Sequence, residues 1–129
     1  MTALTKNTPR TRVGNGLRFR DPVAAGAVIF AGALVALNAA GNAIPAIPTA
    51  TRMRGVALAE ADNTGGAIGD AGVDFERGAF LVPSNGSINR THIGGNVFVV
   101  DDNTVGAAGT LIAGKCLDVT PEGVVVEIL

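Results

Sequence analysis

The last third of the chain constrains the fold most. Residues 94–105, 111–119 and 123–129 are three apolar runs rich in β-branched residues, each bounded by Gly, Asn, Asp or Pro. That pattern predicts short antiparallel strands rather than helices. In the final run Val124, Val126 and Ile128 fall on one face and Val125, Glu127 and Leu129 on the other, because side chains alternate across a pleat. The chain therefore ends inside its core sheet.

The same punctuation runs back through the chain. Residues 27–30 and 34–37 read as a strand pair around Ala31-Gly32, with residues 38–42 as a turn. Ile44-Pro45-Ala46-Ile47-Pro48 should run extended, since each proline biases its predecessor away from helix. Residues 54–59 form another strand, followed by a glycine-rich loop over 62–72. Residues 73–76 and 79–82 read as a pair joined at Arg77-Gly78. Ser84-Asn85-Gly86-Ser87 carries the clearest hairpin signal, and Thr120-Pro121-Glu122-Gly123 fits a type I turn. No long amphipathic helix is expected, only single turns at residues 21–25 or 106–109. The expectation is an all-β, barrel- or tulip-like single domain of about ten short strands over residues 21–129, preceded by an extended arm over residues 1–20. At 129 residues such a domain folds without staples. Residues 28–30, 54–59 and 73–76 also echo residues 97–100, 113–118 and 124–127, although the spacing does not hold. The echo is either a pseudo-repeat or strand chemistry recurring.

Charge separates the arm from the body. Residues 1–20 hold Lys6, Arg10, Arg12, Arg18 and Arg20 and no acid, whereas residues 21–129 hold the other five bases against all eleven acids. A basic tail on an acidic body points to interaction. A free arm of this composition should be disordered unless its own body or a neighbouring subunit holds it down. The apolar stretch after Asp21 is too rich in Ala and Gly, and too soon broken by Asn38, Asn42, Pro45 and Pro48, to read as a membrane segment.

The chemical inventory is thin, and no catalytic, cofactor or metal residues are expected. His92, the single histidine, has no ligand-spaced neighbour and suits a local hydrogen bond. Ser84 and Ser87 lack a nucleophile-elbow context, and no phosphate cradle is present. The acidic turns Asp62-Asn63-Thr64-Gly65-Gly66 and Asp101-Asp102-Asn103-Thr104 lack EF-hand spacing and read as side-chain-capped turns. Cys116, the lone cysteine, reads as a small buried hydrophobe. Five bases would attract phosphates, but only Phe19 offers a ring for stacking on the arm and the acidic body opposes approach, so a protein partner is favoured over nucleic acid.

In the order of its pieces the chain resembles the decoration, or cement, proteins of tailed-phage capsids. The resemblance rests on residues 21–26, then Arg54-Gly55-Val56-Ala57-Leu58-Ala59, Gly95-Asn96-Val97-Phe98-Val99-Val100-Asp101-Asp102, Leu111-Ile112-Ala113-Gly114-Lys115-Cys116-Leu117 and the terminal strand. It departs from the family where Gly95-Asn96 stands in place of Gly-Asp, and in the long loop over residues 62–72. The resemblance implies a non-enzymatic virion protein on the outer capsid surface, commonly a homotrimer. Its partners would be the major capsid protein and neighbouring decoration subunits, with no cofactor, nucleic acid or membrane. The arm would add a strand to a sheet edge on the shell, with Leu17 and Phe19 as anchors and Arg10, Arg12, Arg18 and Arg20 pairing with capsid carboxylates. The alternative is a fibre- or spike-like head-surface domain binding carbohydrate or a host surface. Such a groove wants aromatics, and the chain has five Phe and no Trp or Tyr.

Overall fold

The computed structural model describes residues 2–12 and 17–128. Among them are twelve strands and one 3-10 turn, Arg90–His92. The chain up to Glu76 builds one antiparallel sheet from β1 (Arg18–Pro22), β3 (Leu34–Leu37), β4 (Ala43–Pro45), β5 (Arg52–Ala57) and β7 (Gly72–Glu76), in the order β1-β7-β5-β3-β4. The chain from Gly78 builds a second from β8 (Gly78–Val82), β9 (Asn96–Val99), β10 (Val105–Gly106), β11 (Ile112–Thr120) and β12 (Gly123–Ile128), in the order β10-β9-β11-β12-β8. A small ribbon pairs β2 (Val28–Ile29) with β6 (Ala61–Asp62). The domain is all-β, as the punctuation predicts, but its sheets are open and face each other rather than closing as a barrel.

Alternation along the strands explains the layers. Leu34, Ala36, Met53 and Val56 of the first sheet meet Phe80, Val97, Val99, Val124, Val126 and Ile128 of the second in the main core. Val35, Ala57, Val73 and Phe75 point the opposite way into a second core with Ile29 and Ala61 of the ribbon. The first sheet is thus covered on both faces, which is why Leu34-Val35-Ala36 is an unbroken buried run. A fully buried side chain such as Phe75 or Ile128 contributes about 1.5–3 kcal/mol. Cys116 is one of the main-core residues and is fully buried, as expected of it.

The two sheets share one topology. Reading each in chain order, the first strand lies at an edge, the last beside it, then the fourth, the second and the third: β1-β7-β5-β3-β4 matches β8-β12-β11-β9-β10. The match extends to residues. A Cβ on Gly55 would press on the Glu76 backbone, and one on Gly114 would press on the Glu127 backbone. Gly55 and Glu76 therefore correspond to Gly114 and Glu127, and both β3–β5 and β9–β11 carry a register shift. This resolves the sequence echo as a structural pseudo-repeat at residues 54–59 and 73–76. Upstream of Gly55 the spacing fails because residues 28–30 are not the matching strand: Val35 pairs with Gly55 as Val97 pairs with Gly114. Downstream it fails because the first half inserts β6 and its loop where the second has a tight turn. The counterpart of β9 is β3, not the stretch at 28–30.

Three local expectations give way to tertiary structure. β2 does not pair with β3: β2 pairs with β6, and β3 pairs with β4 and β5. β7 and β8 are not a hairpin either, because the chain changes sheets at Arg77, where Gly78 at φ +151 turns the backbone. The Asn85-Gly86 signal also yields no hairpin. A primed turn with both central residues at positive φ is not formed, since among the described residues only glycines have positive φ; instead the Asn85 Oδ1 accepts the Ser87 N–H at 3.1 Å. The turn at residues 120–123 does join two paired strands, β11 and β12. The single helical turns expected at 21–25 and 106–109 are absent: these segments begin as the last residues of β1 and β10 and continue as non-helical turn and bend. Leu129, expected on the last strand, lies outside the described residues, as do Met1 and residues 13–16 of the arm.

Candidate interaction surface

The arm lies along its own body. Near its start the Leu4 N–H donates to Asp102 Oδ1 at 2.9 Å, and Leu4 packs against the second core. Farther on, Asn7 Oδ1 accepts the Ala31 N–H at 3.0 Å and the Thr8 N–H donates to the Ala31 carbonyl at 2.7 Å. Arg10 donates from Nε to the Gly32 carbonyl at 2.9 Å and from Nη2 to Asn103 Oδ1. The arm then reaches the free edge of β8, where the Leu81 N–H donates to the Thr11 carbonyl at 3.1 Å and Arg12 bridges antiparallel to Phe80. The arm thus adds a short extended piece to a sheet edge within its own chain.

Opposite charge explains the path. Arg12 Nη1 lies 2.5 Å from Glu76 Oε1, and Arg18 Nε lies 3.4 Å from the same oxygen. Glu76 is 4% exposed, a buried acid held by two cations. Arg20 pairs with Asp74 at 3.0 Å across β1 and β7. The charge asymmetry between arm and body is therefore met in part within one chain. Burial pushes the Arg10 guanidinium below its ordinary pKa, opposed by the nearby Asp102 and Asp101 charges. Burial likewise lifts the Asp102 carboxyl, while the Leu4 N–H bond pulls it back.

The six residues expected to carry partner binding divide into two groups. Arg10 and Arg12 belong to the docked arm, while Arg18, Phe19 and Arg20 belong to β1, so the sheet takes over at Arg18. Leu17 is 65% exposed and Phe19 45% exposed. Phe19 stacks at 5.9 Å on Phe75, over which the Arg54 guanidinium sits at 4.7 Å from the ring centroid. Arg54 in turn grips Asp21 bidentately, Nε to Oδ2 at 2.7 Å and Nη2 to Oδ1 at 2.9 Å. Phe19, Arg20, Leu58 and Ala59 line an open depression beside this edge.

Residue reading missed Glu76, Gly32, Asp102 and the Asp21–Arg54 pair. The charge imbalance hints at cationic arm against acidic body, but nothing local marks Gly32 as the seat for Thr8. The smaller expectations stand: His92 Nδ1 accepts the Asn89 N–H at 2.9 Å and caps the 3-10 turn. Asp62 and Asp101 cap the Thr64 and Asn103 N–H groups. Among the described residues, no cluster of three His, Cys, Asp or Glu side chains is placed to hold a metal ion, and no helix is long and apolar enough to cross a membrane. Comparison with protein-family models, curated proteins and solved structures finds no match to this chain.

Proposed function

We propose that this is a structural decoration protein that binds the outer surface of a tailed-phage capsid and stabilises the expanded shell by bridging major capsid protein subunits, as a trimer. The observation that supports this reading best is the basic arm, laid across the side of a self-contained sandwich and held largely by polar contacts. Those contacts are of the kind that a neighbouring acidic surface can exchange: backbone bonds to a sheet edge and arginine pairs with carboxylates. A body of this size offers little area to several neighbours at once, whereas an extended arm reaches them at low cost in mass; a standard interface needs about 800 Å² from each partner. Binding only the expanded lattice would stabilise that state by RT ln(1 + [L]/Kd) per site, with no chemistry required of the protein.

Co-sedimentation with expanded capsids and with compact precursors tests the proposal. Binding to expanded shells alone, reduced on deleting residues 2–12, is the expected result. Absence of binding to either form would remove the reading, and binding unchanged by the deletion would remove the arm from it.

A further inference from the structure

The sandwich has four sheet edges, and three of them are covered or short. β4 spans three residues, contains Pro45 and is bridged to Val23 through Ala43. β10 spans two residues and is bridged to Ser84 through Val105. β8 carries the arm at Thr11 and Arg12. The fourth edge, β1, is five residues long and has β7 as its one strand partner among the described residues.

Which groups β1 offers follows from its ladder. The Arg77 N–H donates to the Leu17 carbonyl and the Val23 N–H donates to the Ala71 carbonyl, so the odd-numbered residues bond inward to β7. By alternation, the backbone N–H and C=O groups of Arg18 and Arg20 point outward. The shared topology of the two sheets gives the same answer independently. With Glu76 equivalent to Glu127, the pairings Arg18↔Glu76 and Ala79↔Glu127 make Arg20 the counterpart of Leu81. Leu81 is the residue whose N–H already bonds an extended segment, at Thr11.

The occupant is selected by charge. A second copy of β1, paired antiparallel, would set outward-facing residues against each other, placing Arg18 opposite Arg20 or Arg20 opposite itself. Like charges directly opposite are unfavourable, so the edge resists self-pairing in the way that charged edge strands do. A strand with carboxylates opposite Arg18 and Arg20 is complementary instead. Both guanidinium groups are well exposed, with side chains 68% and 62% accessible, and each keeps N–H donors beyond the one that meets Glu76 or Asp74. The residue between the two acids would fall on the other face, beside exposed Phe19.

We infer that the free edge of β1 is a docking site for an extended acidic segment of a protein partner, with an acid, apolar, acid pattern set against Arg18, Phe19 and Arg20. The site binds by strand addition: backbone bonds to Arg18 and Arg20 supply register, and the alternate side chains supply selectivity. This names the chemistry of the partner surface under the proposed function, yet it stands on edge geometry and is testable apart from any capsid.

The test uses the full chain and a labelled ten-residue peptide of alternating glutamate and valine, with a lysine-for-glutamate peptide as control. Fluorescence anisotropy should show binding of the acidic peptide that weakens at least tenfold between 50 mM and 500 mM salt, as screening of charge requires, with no binding of the control. Amide NMR shifts should centre on Arg18 and Arg20. Arg20→Pro removes an outward N–H without breaking the β7 ladder and should weaken binding at least tenfold. Arg20→Asp keeps the backbone and should reverse the preference toward the lysine peptide. No binding at millimolar peptide, equal binding of both peptides, shifts centred on β8, or an Arg20→Asp variant with unchanged preference would each overturn the inference, whatever the capsid experiment gives.

Discussion

Gly32 yields its side-chain position to the backbone of Thr8: a Cβ there would overlap the Thr8 carbonyl group. Gly32 also sits at φ +86, where an L side chain costs about 1–2 kcal/mol. Gly26 separates the two effects, because it has φ +71 and a Cβ added to it would meet nothing within 4 Å. Gly26→Ala should therefore cost only the backbone term, whereas Gly32→Ala should cost that and also lift the arm. Limited trypsin digestion after Lys6 and Arg10 should accelerate at least tenfold in Gly32→Ala and stay near the parent rate in Gly26→Ala. Equal rates in the two variants would mean that Thr8 does not depend on the space at Gly32.

The Arg54–Asp21 pair should dominate the electrostatics of the β1 edge. Its side chains are 23% and 12% exposed, and both contacts are short and parallel, whereas Arg20 and Asp74 are more than half exposed with one contact. Double-mutant cycles should give a coupling of about 1.5–3 kcal/mol for Arg54 with Asp21 and below about 0.5 kcal/mol for Arg20 with Asp74. The hydrogen bond to Asp21 raises the Arg54 pKa above its ordinary value. A raised cationic pKa stabilises fully below the unfolded value and is lost only as pH climbs through the folded one, so the Arg54 side of the coupling should be flat from pH 6 to 9. Chemical denaturation of the four variants at several pH values checks both statements.

How much was legible in the sequence depended on the range of the interaction. Strand identity in the last third follows from residues two apart, and Val124, Val126 and Ile128 are buried on one face as alternation requires. Pairing is a different matter, since β7 and β8 look like a hairpin yet belong to different sheets. Nothing local tells a strand which of two sheets to join; packing of Phe75 and Phe80 into different cores decides it. The cationic surface residues were legible as types, while their cis partners were not: Arg12 and Glu76 are 64 positions apart. Gly55 and Gly114 carried the repeat signal, but residues 28–30 are not the counterpart of β9, and β6 with its loop interrupts the spacing that follows.

Asp102 gives the arm a pH signature. Burial is the main influence on its carboxyl and raises its pKa above 3.8, aided by the Asp101 charge and opposed by the Leu4 N–H and Arg10. The folded chain then holds this proton more tightly than the unfolded chain, so ionisation of Asp102 costs stability. That cost is absent below pH 3.8 and complete above the raised pKa. Asp102→Asn keeps an Oδ1 acceptor for Leu4 and removes the charge. It should melt above the parent at pH 7, with the gap closing as pH falls through the raised pKa toward 3.8. A variant that melts below the parent at pH 7, with that deficit vanishing as pH falls toward 3.8, would show that the attraction of the Arg10 charge outweighs the desolvation of Asp102.

Asn63 should be the least replaceable polar residue of the body. It is 3% exposed, and its Nδ2 donates to the carbonyls of Val23 at 3.3 Å, Ala24 at 3.0 Å and Ala67 at 3.0 Å. That one amide ties the end of β1 to the loop after β6 and so holds the base of the exposed edge. Asn63→Ala strands buried acceptors and opens a cavity, at about 2–3 kcal/mol. Asn63→Asp retains the size but turns an oxygen toward three carbonyl oxygens, and should cost more at pH 7 than at pH 4, where the carboxyl can be protonated and donate. Thermal melts of both variants at the two pH values separate the loss of a donor from the loss of volume. Equal destabilisation by Asn63→Asp at pH 4 and pH 7 would place the effect in packing rather than in the amide's hydrogen bonds.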